Sequence, residues 1–173
     1  MIWRIGSVRR EAFVSEPAGA RTRVTRIVKA PREAVYLAFL DPDALAAWLP
    51  PAGMSGHMHR FEPRAGGKLR MSLRYRDPKD SPGKTSADTD TFLGRFAELI
   101  PHEKIVWIVE FEPANPAFAG EMTITTTLAD ADGGTEIAMT CDNIPKGIRP
   151  EDNAMGCRSS LRNLAALLEK GEC

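Results

Sequence analysis

PEDNAMGCRSSLRNLAALLEKG, residues 150–171, is the stretch on which the fold turns. Proline followed by two acids opens a helix: Pro150 suits the first helical position, and Glu151 and Asp152 face the positive end of the helix dipole. Cys157, Leu161, Leu164 and Leu168 then recur at spacings of four, three and four, which makes a single apolar stripe. Gly171 ends the helix. A helix with one apolar stripe must bury it against another element, and the chain before it supplies one.

That element is a sheet. Lys68 to Tyr75 alternates cleanly, with Leu69, Met71, Leu73 and Tyr75 on one face and Lys68, Arg70, Ser72 and Arg74 on the other. Such a strand is buried on one side and wet on the other. His57 to Glu62 reads as its hairpin partner, turned at Pro63-Arg64-Ala65-Gly66-Gly67, where paired glycines permit positive φ. Thr91 to Ile100 and Lys104 to Glu112 form a second pair, joined at Pro101-His102-Glu103, with Ile105, Trp107, Val109 and Phe111 sharing a face. Glu121 to Leu128 alternates Met122, Ile124, Thr126 and Leu128 against a row of Glu121 and threonines. Thr135 to Asp142 returns after the turn Ala131-Asp132-Gly133-Gly134 with Ile137, Met139 and Cys141 on one side. Residues 76–90 form a polar loop that is long for a hairpin.

At the N-terminal side, Thr22 to Lys29 suits a strand. Pro31 with Glu33 starts a helix whose apolar side is Val35, Ala38 and Phe39. Asp41-Pro42-Asp43 starts a second, short one that stops at Pro50-Pro51. The order is therefore strand, two short helices, about six more antiparallel strands and a long helix, an α+β layout.

The 173 residues favour one domain. With formal net charge of zero, the balance gives no reason to expect nucleic acid as a partner. The charge is uneven: residues 1–26 hold six arginines against two glutamates. Residues 1–21 lack the apolar core of a secretory signal and read as a loose extension ahead of a domain at 22–173. No run reaches the length a membrane helix needs. Cys141, Cys157 and Cys173 are odd in number and widely spaced, which fits free thiols and a cytoplasmic location.

The order and several stretches together resemble the helix-grip fold of START-like and birch-pollen-allergen-like proteins, the SRPBCC superfamily. The resemblance is strongest to the branch named for the activator of the heat-shock-protein-90 ATPase. The stretches are VTRIVKAPREAVYLAFLDPDALAAWLPP, FEPRAGGKLRM, GRFAELIPHEKIVWIVEF, MTITTTLADADGGTEIAMT and GCRSSLRNLAALLEKG, within residues 22–171. Cys157, where many relatives carry an aromatic residue, is a departure. The resemblance implies a curved antiparallel sheet of about seven strands around the C-terminal helix. It also implies an apolar cavity between them that holds a hydrophobic small molecule or lipid, without a cofactor.

The residues expected to line such a site are Trp48, His57, His59, Phe61, Met71, Leu73, Tyr75, Trp107, Phe111, Met139, Cys157 and Leu161. If Phe61 faces inward, plain alternation carries His57 and His59 to the concave side with it. Two histidines without a third ligand at metal spacing do not make a zinc site, so no metal is expected. As wall residues they would orient the polar end of an apolar ligand; as acid or base they would serve catalysis. In similar folds the helix before Trp48 lies near the cavity mouth, so the resemblance implies Trp48 as a gate there. Glu98 is a buried carboxylate if Phe92 and Phe96 set the phase, and a solvated one if Leu93 and Leu99 do; the solvated reading is preferred.

Three functions follow. One is a module that binds a hydrophobic small molecule. Another is a cyclase- or dehydratase-like cavity enzyme using His57, His59 or Tyr75. A third is a protein that docks on a chaperone, disfavoured because dedicated chaperone activators carry a further N-terminal domain. A homodimer is compatible with all three.

Overall fold

A computed structural model describes residues 19–77, 89–112 and 116–170. The expected extension falls, apart from its last three residues, outside these, as does most of the long polar loop. Seven strands form one antiparallel sheet: β1 (Ala20–Val28), β2 (Met54–Phe61), β3 (Lys68–Tyr75), β4 (Thr89–Ile100), β5 (Lys104–Phe111), β6 (Met122–Ala131) and β7 (Gly134–Ile144). Strands β2 to β7 follow one another as a meander, and β1 closes onto β7, giving the order β1-β7-β6-β5-β4-β3-β2. The first two helices, α1 (Arg32–Ala38) and α2 (Pro42–Trp48), carry the chain from one edge of the sheet to the other. The last, α3 (Pro150–Glu169), lies on the enclosed face. The helix-grip arrangement expected from the sequence is present.

Local chemistry accounts for the joints. Asp41 caps α2 with a carboxylate that accepts from the N–H groups of Asp43 (2.9 Å) and Ala44 (3.4 Å), and Pro42 takes the first turn. In the β2–β3 turn only Gly66 has positive φ, at 81°. Gly67 is required for a different reason: a Cβ there would sit 2.0 Å from the carbonyl oxygen of Glu62.

Polar side chains of α3 fasten it to the α2–β2 connection. Ser160 Oγ donates to Leu49 O (2.5 Å), Asn163 Nδ2 to Pro50 O (2.9 Å), and Ser159 Oγ accepts from Ala52 N (2.8 Å). At its two ends the helix meets β1 and the residue after it: Thr22 Oγ1 donates to Asn153 Oδ1, and Glu169 accepts from the backbone of Lys29. The stripe read from the sequence faces the core, with Leu161 and Leu164 fully enclosed and Cys157 and Leu168 partly covered.

Two β-bulges change the expected phase. In β2, Met58 pairs with Met71 and Arg60 with Arg70, so His59 is the extra residue. In β4, Phe96 pairs with Trp107 and Glu98 with Val106, so Ala97 is extra. The second bulge lets Phe92, Phe96 and Leu99 all pack inward while Glu98 turns to solvent and pairs with Lys104 at 2.9 Å. The solvated reading of Glu98 holds, although Leu93 is exposed and does not set the phase.

Candidate functional site

The enclosed face has a closed half and an open half. The closed half is aromatic. Phe39 packs edge-on to Trp48 with ring centroids 4.7 Å apart and lies 5.6 Å from Trp107; Phe96 lies 6.3 Å from Trp107 and 5.6 Å from Phe61. Trp48 is wholly buried and its indole N–H donates to Ala38 O at 2.9 Å. It is a plug in the core, not the residue at the mouth that the resemblance suggested. The cause is the inward apolar side of α1 and α2, which brings Phe39 and Leu45 in beside it.

The open half lies where β3 and β5 end and β4 and β6 begin, beside the N-terminal half of α3. There Leu73, Tyr75, Phe111, Ile124, Ala154 and Cys157 are only partly covered. Two hollows flank this end. One of about 160 Å³ is bounded by Pro50 to Met54, Arg76 and Asn163; one of about 330 Å³ is bounded by Pro116, Ala117 and the stretch Asn143 to Lys146.

Two polar atoms are stranded on the enclosed face. Trp107 Nε1 and Thr126 Oγ1 are buried and have no hydrogen-bond partner. Trp107 is 3% and Thr126 1% exposed. They are diagonal neighbours across β5 and β6, since Trp107 pairs with Ile124 and Ile105 with Thr126. An unsatisfied buried donor or acceptor costs about 1–3 kcal/mol, so this pair stands apart from Thr135, Ser159 and Ser160, buried polar side chains that have partners. Its signal was present in the sequence: Thr126 is the one polar residue among Met122, Ile124 and Leu128 on its face.

Trp48, Phe61, Met71, Leu73, Tyr75, Trp107, Phe111, Met139, Cys157 and Leu161 all lie on the enclosed side. His57 and His59 do not. The bulge at His59 sends Met58 and Phe61 inward together and leaves both histidines exposed on the outer face. The expectation that Phe61 would carry them to the concave side is therefore corrected: it assumed unbroken alternation, and the strand spends one residue on the bulge.

On the outer face the histidine rings stand 4.6 Å apart. His59 Nε2 is 2.7 Å from Ser72 Oγ, which is 2.9 Å from Thr91 Oγ1. Beside them Arg70 grips Glu112 through two hydrogen bonds of 2.5 and 3.0 Å. Desolvation by its neighbours and then the Arg70 charge push His59 below the usual histidine value, so it is biased toward the neutral ring. Glu112 is held below the usual carboxylate range, first by its hydrogen bonds from Arg70. No cluster of three or more metal-ligating His, Cys, Asp or Glu side chains occurs among the described residues.

Sequence reading also missed a sulfur cluster at the open end. Cys141 Sγ on β7 and Cys157 Sγ on α3 are 3.8 Å apart. Asn153, one turn before Cys157, brings its amide to Cys157 Sγ and to Met122 Sδ, each at 3.9 Å. The two cysteines are sixteen residues apart, and only the packing of α3 on β7 brings them together.

Comparison with known proteins agrees with this geometry. The family described as Activator of Hsp90 ATPase homolog 1-like protein matches residues 29–169. The chain belongs to this family. Among solved structures, this chain is similar to protein CV1439 from Chromobacterium violaceum, at 37% identity and a TM-score of 0.76. That match covers 86% of this chain and 96% of the other. A Rhodobacter sphaeroides protein shares the fold at 24% identity and a TM-score of 0.70, over 88% and 95% of the two chains. An AHSA1-like protein from Aeromonas hydrophila does so at 19% identity and 0.65, over 88% and 94%. No curated protein matches the chain. No helix among its described residues is long and apolar enough to cross a membrane.

Proposed function

We propose that this protein binds a mostly apolar small molecule or lipid between the enclosed face of the sheet and the N-terminal half of α3. The observation that carries the reading is the stranded pair, Trp107 Nε1 and Thr126 Oγ1. An indole N–H only donates, and a hydroxyl does either, so the missing partner is a hydrogen-bond acceptor. One carbonyl oxygen has two lone pairs and can take both. No Lys, Arg or His is buried among the described residues, so the acceptor is a neutral ketone, ester or amide and not a carboxylate. The half-covered side chains Leu73, Phe111 and Ile124 supply the apolar wall, the usual division of labour in such sites.

The catalytic alternative retains Tyr75 alone on the enclosed side, because His57 and His59 face outward. A chaperone-docking reading needs a contiguous exposed apolar patch. Among the described residues the exposed large apolar side chains are Ile27, Leu37, Leu93, Met155 and Leu167, which belong to β1, α1, β4 and α3. Such scattering is normal for a protein surface.

The test is a titration with 2-undecanone and with undecane, which differ in one carbonyl, read by the indole N–H resonances and by native mass spectrometry. Binding of the ketone about fivefold or more tightly than the alkane, with a downfield shift of one indole N–H that is lost in Trp107→Phe, is expected. Uptake of neither compound, and no organic species extracted from protein purified from its source, would reject the binding reading. Equal uptake of both would keep the cavity and reject the anchor.

A further inference from the structure

We propose that Cys141 and Cys157 are a dithiol oxidised reversibly to a disulfide by small-molecule disulfides such as oxidised glutathione, and that this bond draws α3 toward β7 at the open end of the enclosed face. The sulfurs already face each other at 3.8 Å, and a disulfide of about 2.05 Å needs them to close by about 1.8 Å. One cysteine is reachable and the other is not. Cys157 is partly exposed, whereas Cys141 is 1% exposed. That asymmetry suits an entering thiol and a resolving thiol. Thr22 and Asn153 flank the pair. The hydrogen bond from Cys157 is the main cause pushing the Cys141 thiol down from its usual value, while the same contact and burial push the Cys157 thiol up, so the sulfur left negative within the pair is Cys141, the resolving one.

The exchange balances. Cys157 gives up its proton to solvent as its sulfur attacks one sulfur of oxidised glutathione, that S–S bond breaks, and one glutathione leaves as a thiolate that takes up a proton. The Cys141 thiolate then attacks Cys157 Sγ, the mixed disulfide breaks, and the second glutathione leaves in the same way. Two protein thiols are oxidised and one glutathione disulfide is reduced to two thiols. The position gives the bond its consequence. Cys157 sits beside Ala154 and opposite Ile124, the register partner of Cys141, so the bond would tie the helix to the sheet across the half-covered region.

The test uses the full chain carrying Cys173→Ser, so that only this pair remains, treated with oxidised glutathione under native conditions. Intact mass should fall by two hydrogens with no glutathione retained, and dithiothreitol should reverse it. Adding Cys141→Ser should trap one glutathione on Cys157, whereas adding Cys157→Ser should leave Cys141 unmodified. The oxidised form should melt several degrees higher, because the cross-link constrains the unfolded chain. A glutathione adduct that persists on Cys157 with Cys141 present would overturn the proposal. So would a disulfide that forms only in denaturant. Neither result bears on whether the site takes an apolar ligand.

Discussion

At Thr126 a hydroxyl with almost no exposure faces an apolar interior without a partner. Thr126→Val keeps the branched shape and removes that hydroxyl. The unfolding free energy should rise by about 1 kcal/mol in a urea titration, and affinity for a ketone probe should fall at the same time. A loss of stability would mean that the hydroxyl is satisfied in solution. Glu112 shows the opposite case, a carboxylate with too good a partner to protonate easily. Because Arg70 lowers its pKa in the fold, its contribution is complete above the value a glutamate has in the unfolded chain. It drains away as pH falls through the lower folded value. Glu112→Gln should therefore flatten the decline in stability below about pH 4.5, measured as the urea midpoint against pH. The effect is small, since both side chains are about a third exposed.

At the scale of elements, alternation told which face of each strand is buried only as far as the first bulge. Lys68 to Tyr75 has none, and its two faces are as the pattern predicts. His57 to Phe61 and Phe92 to Leu99 each spend one residue on a bulge, and a bulge leaves no mark that a period of two can register. That is why the histidine pair was expected inside and is found outside. The changes His57→Gln and His59→Gln together should leave ketone affinity within about twofold of the unchanged protein, as measured by the same titration. A loss of tenfold or more would place the histidines at the ligand after all. The helices were legible to within a residue or two, because their starts are written in proline and aspartate chemistry that acts locally.

For the whole molecule, order of elements and sidedness were enough to reach the architecture: a one-sided sheet and a one-sided helix have few ways to cover each other. What order cannot convey is distance between residues far apart in the chain. The Cys141–Cys157 approach and the Phe39–Trp48–Trp107 cluster both arise from how α1, α2 and α3 settle on the sheet. The cluster is where the closed half gets its rigidity. Trp48→Ala removes its plug and the bond to Ala38, and should cost about 3–5 kcal/mol by chemical denaturation.

The pairing of β1 with β7 has a consequence in time. Val24 lies opposite Met139, and among the described residues β1 pairs with β7 alone. During synthesis at about 5–20 residues per second, β1 leaves the ribosome many seconds before its neighbour exists. Through that interval β1 waits with its backbone unpaired and Val24 and Val28 uncovered, and the sheet's inner surface has no α3 to cover it. The nascent chain is thus at its stickiest just before α3 emerges. It is also then at its most open, so a ligand taken up at that stage would be enclosed by the last helix as it docks.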